Sequence, residues 1–160
     1  MKEKNGEHPF GDAGQLIAFA VFLVIWVGDS FFLRRSTFLS DYVPLYVRLA
    51  ILCLALIAAR YLIRSGHVVV SHEHQPKGLV TSGAFRYVRH PLYLGSILVY
   101  LGLTVSSMSL LSLVSLAGIF IFYNYIASYE ETLLDARFGE GYRKYKKRTG
   151  KWVPGISWNR

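Results

Sequence analysis

Four apolar stretches, set apart by charged or turn-forming residues, constrain this chain more tightly than any other feature of its sequence. The first runs from Ala13 to Leu33 with Asp29 as its only charge, and the second covers residues 43–63, with Arg48 and Arg60 towards its ends. The third and fourth, residues 91–105 and 110–128, are separated only by the small polar cluster Ser106, Ser107, Met108 and Ser109. A helix needs roughly 20 mostly apolar residues to cross a bilayer, because its amides must pair within the segment where no water is present. The pattern predicts an all-α integral membrane protein with about four transmembrane helices, the last two forming a tight hairpin. At about 1.5 Å per residue the third helix is shorter than the hydrocarbon is thick, so one of its ends lies in protein or headgroups. Arg48 and Arg60 reach the interface by snorkelling. Asp29 marks the outer end of the first helix, with a place facing a cavity or pairing to Arg34 or Arg60 as the alternatives.

Composition excludes the competing classes. Of 160 residues 52% are hydrophobic, 15% aromatic and 18% charged, and the mean hydropathy is +0.32, which rules out a disordered chain or a collagen. The single cysteine, Cys53, rules out an intramolecular disulfide and, lying in an apolar run, reads as a small buried hydrophobe. A polar first dozen residues ahead of a long apolar run predicts no cleaved leader. The length fits one membrane domain, with two spans in 1–63, a connector in 64–90, the hairpin in 91–128 and a tail in 129–160.

Lysines and arginines set the expected orientation. Residues 64–91 hold Arg64, Lys77, Arg86 and Arg89, the N-terminus holds Lys2 and Lys4, and the tail holds Arg137, Arg143, Lys144, Lys146, Lys147, Arg148, Lys151 and Arg160. An even number of spans puts all of these on one side, against Arg34 and Arg35 on the other. Both termini are therefore expected on the cytoplasmic side of an inner or cytoplasmic membrane. The net charge of +8 then faces anionic headgroups and calls for no nucleic acid partner.

Two polar segments are rich in chemistry for connectors. The first, 78–95, leads into the third helix through Arg86, Arg89, His90 and Pro91. Proline suits a first helical turn, and its presence pushes His90 towards extended geometry. Arg86, Arg89 and His90 are thereby gathered at a helix N-terminus, where free amides already favour an anion. Gly95 and Gly102 lie on nearly one face of that helix and either admit a ligand to the backbone or let another helix approach. The second segment carries Glu130 and Glu131 where the fourth helix leaves the membrane, a costly place for two carboxylates unless a cation or hydroxyl faces them. Leu133, Leu134 and Phe138 form an apolar stripe that Gly139 can cap, and Tyr142, Tyr145, Trp152 and Trp158 suit an amphipathic C-terminal helix and an aromatic belt on the cytoplasmic side. Lys144 to Arg148 read as a solvated or membrane-facing cluster. Together these parts suit a zwitterionic ligand such as S-adenosylmethionine, although any amine-bearing acid meets the same charge pattern. No metal site is expected: His72 and His74 lack a third ligand, and His8 and His67 read as solvated.

The order Gly83-x-x-Arg86-Tyr87-x-Arg89-His90-Pro91-x-Tyr93-x-Gly95, then an apolar hairpin, Glu130-Glu131 and Phe138-Gly139-x-x-Tyr142-x-x-Tyr145 closely resembles the isoprenylcysteine carboxyl methyltransferase and phospholipid methyltransferase superfamily of integral membrane enzymes. The resemblance covers residues 78–154. It implies methyl transfer from S-adenosylmethionine to a lipophilic acceptor entering from the bilayer. Carried over residue by residue, it makes His90, Tyr93, Gly95, Gly102, Glu130 and Glu131 cofactor-binding candidates, with Arg89 and Tyr142 in support. Glu131 and His90 are the candidates for acid–base work or acceptor positioning. One departure counts against a prenylcysteine carboxylate acceptor: where the carboxyl-methylating branch has an arginine one turn before the glutamates, this chain has Ile126 and Ala127. Two other readings stand beside this one, a non-enzymatic membrane binder or carrier and a nicotinamide-dependent membrane reductase.

Overall fold

A computed structural model describes residues 11–72 and 78–155. Lys2, Lys4, His8, His74, Lys77, Trp158 and Arg160 lie outside the described residues, as do the side chains of His67 and His72. The described chain is all-α, with five helices: α1 (Gly11–Val27), α2 (Leu45–His72), α3 (Pro91–Ser107), α4 (Leu110–Phe138) and α5 (Glu140–Arg148). No strand occurs among the described residues, and Val88 and Gly150 make an isolated parallel bridge. Three stretches are long and apolar enough to cross a membrane, Ala13–Leu33, Leu45–Gly66 and Leu110–Phe138. Pro91–Ser107 is a shorter apolar helix, about 25 Å long at the usual rise.

The outside of the bundle is as apolar as its inside. Leu16, Val24, Phe32, Leu54, Ile57, Val114 and Ile121 are all exposed, whereas the core is built from Phe22, Tyr100, Leu116, Ile119 and Tyr123. Such an exterior is stable only in contact with lipid chains, and the chain is an integral membrane protein. Cys53 corrects its expectation for the same reason, being exposed on α2 where the surrounding solvent is hydrocarbon.

The most extensive helix seam joins α2 to α3, and two glycines create it. A Cβ on Gly95 would lie 2.6 Å from Ile63 Cγ1 and 3.2 Å from the Ala59 carbonyl oxygen, and one on Gly102 would lie 3.0 Å from Ala55 Cβ. Only a bare backbone lets the helices meet this closely.

At the hairpin end, Met108 turns the chain with φ 54° and Ser109 caps α4 by accepting from the Ser112 amide. The last carbonyls of α3 are taken up from outside: Trp26 Nε1 donates to Leu103 O at 2.8 Å and Arg48 Nη1 to Ser106 O at 2.8 Å. Asp29 is buried here and pairs with neither Arg34 nor Arg60. Its carboxylate accepts from the amides of Arg35 and Ser36 at 3.2 Å each, from the Ser36 hydroxyl, and from the Ser109 hydroxyl at 2.6 Å. Ser36 in turn accepts from the amides of Leu110 and Leu111, so an acidic residue sits beside the positive end of α4, where the helix dipole favours it.

Candidate functional site

The lead-in to α3 is fixed from two directions before it reaches His90. Ser65 Oγ on α2 accepts from the Ala84 amide at 2.9 Å, and the Arg89 amide donates to Gly150 O at 2.9 Å. His90 stands at the N-cap of α3 with Pro91 opening the helix, as the His-Pro order requires. α4 runs unbroken past its apolar part to Phe138, which carries Glu130 and Glu131 alongside the start of α3. α5 then folds back, burying Tyr142 while Arg143, Lys144, Lys146 and Lys147 remain exposed.

These elements bring Arg89, His90, Tyr93, Glu130, Glu131 and Tyr142 to one end of the bundle. Glu131, 7% exposed, receives Arg89 Nε at 2.8 Å, Lys146 Nζ at 3.0 Å and His90 Nε2 at 3.3 Å. Glu130 faces the other side of the same imidazole, 3.6 Å from Nδ1, and accepts from the Tyr93 hydroxyl at 2.5 Å. Tyr93 stacks on His90 at 5.7 Å between ring centroids, and Trp152 lies 5.9 Å from the same ring. Arg89 also donates to Thr149 O at 2.5 Å and Lys146 O at 3.3 Å. Adjacent glutamates thus have different surroundings. Glu131 is locked by three cationic partners from two other elements, and Glu130 is held by a phenol and a longer ion pair.

Charge follows geometry. Burial lowers the pKa of His90, but hydrogen bonds to Glu130 and Glu131, reinforced by their charges, outweigh it and leave the pKa raised. Both ring nitrogens face carboxylates, so the imidazolium is the favoured form. Burial raises the Tyr142 hydroxyl, as does the nearby charge of Glu131, and that hydroxyl is buried with no partner among the described residues. Burial also pushes Tyr145 up to about 12, and its hydroxyl donates to Phe85 O at 2.6 Å.

Gly95 and Gly102 do not join this cluster and instead pack against α2. Tyr93 packs towards α4, 5.4 Å from the ring of Tyr123. Gly95 is two residues further on, about 200° around the helix, and therefore faces α2. Glu131 and His90, the candidates for acid–base work, meet each other: Glu131 has its oxygens engaged by Arg89, Lys146 and His90, and the raised pKa of His90 favours its imidazolium. Arg86, expected near the α3 N-terminus, is exposed and makes no ion pair among the described residues. Ile126 and Ala127 are fully buried in packing.

Two participants escape the sequence reading. Lys146 belongs to a basic run that reads as surface, yet Tyr142, Tyr145, Lys146 and Thr149 follow the i, i+3, i+4, i+7 spacing of one helix face, the signal that could have marked it. Trp152, assigned to an aromatic belt, instead lies against His90 and Phe120, because Lys151 ties its segment to Asn124 and Ser128 of α4.

A family model described as phospholipid methyltransferase matches residues 47–141. The chain is 35% identical over 92 residues to methanethiol S-methyltransferase 1 of Bradyrhizobium diazoefficiens, a match covering 55% of this chain and 32% of that protein. It is 33% identical over 90 residues to protein-S-isoprenylcysteine O-methyltransferase of Schizosaccharomyces pombe, covering 55% of this chain and 38% of the relative. The corresponding enzyme of Dictyostelium discoideum is 31% identical over 91 residues, covering 56% and 38%. The chain spans about a third of the length of these curated relatives. No solved structure gives a significant match.

Proposed function

Since the chain belongs to the phospholipid methyltransferase family, we propose that it transfers a methyl group from S-adenosylmethionine to a lipophilic small molecule or lipid at the cytoplasmic membrane face. The supporting observation is the double ion pair of His90, 3.3 Å from Glu131 and 3.6 Å from Glu130, which unites the two motif segments at one end of the bundle. The residues suit the donor. Glu130 offers a carboxylate to its ammonium or ribose hydroxyls, the His90 imidazolium offers a cation to its carboxylate, and the Tyr93 and Trp152 rings offer surfaces for its sulfonium or adenine. The Tyr142 hydroxyl, without a hydrogen-bond partner among the described residues, is a further polar group for a ligand to satisfy.

S-adenosylmethionine, when bound, supplies an electrophilic methyl group on sulfur. The chain's own part is to align and to exclude water. Arg89 and Glu131 act as positioning residues: they join the α3 lead-in, α4 and α5, and so hold His90 and Glu130 in register. Glu131, engaged by three cations, and His90, whose raised pKa favours the imidazolium, are both poor proton acceptors. An acceptor that arrives ionised, as a carboxylate or a thiolate, fits this arrangement better than an amine or alcohol that must be deprotonated.

The test is incubation of the purified full chain with methyl-labelled S-adenosylmethionine and a host lipid extract, followed by identification of the labelled product. A labelled lipophilic ester or thioether is expected, and Glu130→Gln and His90→Ala are expected to lower donor binding about tenfold or more while remaining folded, as loss of a charge-assisted contact implies. Wild-type donor binding and turnover in both variants would end this reading of the site.

A further inference from the structure

The far end of the bundle holds a second cleft that methyl transfer does not use. α1 and α2 make no extended contact with each other, and between them, over the last turns of α3, lies a cavity of about 380 Å³. Trp26, Leu49 and Leu52 give its lining apolar surface, and Arg34, Arg48, Ser30 and Ser107 give it cationic and hydroxyl groups. No carboxylate lines it, and Asp29 close by spends its oxygens on amides and hydroxyls.

Three features ask for an anion here. Arg48 is half-buried, meets only the carbonyls of Val43 and Ser106, and has no acidic partner among the described residues. Arg34, an exposed residue of the lining, has a left-handed backbone, φ 48°, that the Asp29 carbonyl closes by accepting its amide at 2.8 Å, a conformation strained by roughly 1–2 kcal/mol. Ser30 Oγ and Ser107 Oγ, both on the lining, are buried with no hydrogen-bond partner among the described residues, which is costly unless a ligand or water supplies one.

We propose that this cleft binds one anionic phospholipid, its phosphate between Arg34 and Arg48, its ester and glycerol oxygens near Ser30 and Ser107, and its chains along Trp26, Leu49 and Leu52. The amphiphilic lining selects a lipid over a free anion: cationic, hydroxylated and aliphatic residues line the same cleft, which opens between two helices with exposed apolar side chains. The site lies at the opposite end of α3 from His90, about 25 Å away along the helix, and does not depend on the methyl-transfer reading.

Native mass spectrometry of the delipidated full chain in neutral detergent tests it, with dioleoyl phosphatidylglycerol, dioleoyl phosphatidylcholine or glycerol 3-phosphate added in turn. One phosphatidylglycerol is expected to survive activation that strips phosphatidylcholine, and Arg34→Gln/Arg48→Gln is expected to lower its occupancy about tenfold. Arg48 also caps α3, so Arg34→Gln alone, whose side chain makes no hydrogen bond among the described residues, keeps the test independent of folding and is expected to lower occupancy at least about twofold. Lys144→Gln/Lys147→Gln, which removes two cations from α5, is expected to leave the lipid in place. Equal retention of phosphatidylcholine, equal binding of glycerol 3-phosphate, no retained lipid, or loss in the α5 variant but not the Arg34 variants would each overturn the proposal.

Discussion

The two ends of the bundle bury carboxylates in opposite ways. Asp29 is satisfied by neutral donors from its own loop and from the start of α4. Glu131 is satisfied by cations drawn from the α3 lead-in and from α5. Neutral donors cap an end and fix its shape. A carboxylate held by Arg89, Lys146 and His90 makes the placement of three elements depend on one charge, while Glu130 beside it meets the Tyr93 hydroxyl and the longer His90 pair.

Breaking each carboxylate separates the two roles. Glu131→Gln strands Arg89 and Lys146 and is expected to cost about 3 kcal/mol or more, the usual consequence of removing one member of a buried ion pair, measured by reversible unfolding in detergent. Asp29→Asn is expected to cost less, about 1–2 kcal/mol, because each lost bond comes from a neutral donor. It is also expected to leave methyl transfer unchanged, so a large loss of turnover in Asp29→Asn would erase the contrast. The smallest effect is the pH response, which only the charged end should show. His90 has its pKa raised from 6.5 by Glu130 and Glu131 in spite of burial. Its contribution to stability is therefore fully present below about 6.5 and is lost as pH rises through the higher folded value. Unfolding measured across that window should show wild type weakening with rising pH and His90→Gln responding less. Equal slopes would mean that the imidazolium is not what holds the glutamates.

Much of the architecture was legible in the sequence because hydrocarbon leaves the backbone so few options. The apolar runs marked the spans and the short third helix, and the serine cluster marked the turn. The site was legible where chemistry stood at helix ends, as in Arg89-His90-Pro91 and Glu130-Glu131. It was illegible where the answer depended on which neighbour a face meets. Gly95 and Gly102, taken alone, read somewhat more readily as packing contacts than as ligand contacts, and the crossing of α3 over α2 uses both for packing. Lys146 looked like any other residue of a basic run until α5 folded back against α4. Cys53 was misread because burial was assumed to mean removal from water, whereas lipid makes the outer surface just as apolar.

The bond from Arg89 to Thr149 O spans 60 positions of sequence, and the pairing of Arg89 with Glu131 spans 42. As the protein emerges from the ribosome, α1, α2 and α3 are made before Glu131, Lys146 and Thr149, the partners of Arg89. A nascent chain is therefore anchored in the bilayer well before it has an assembled charged centre, and that centre closes only when the last short helix docks.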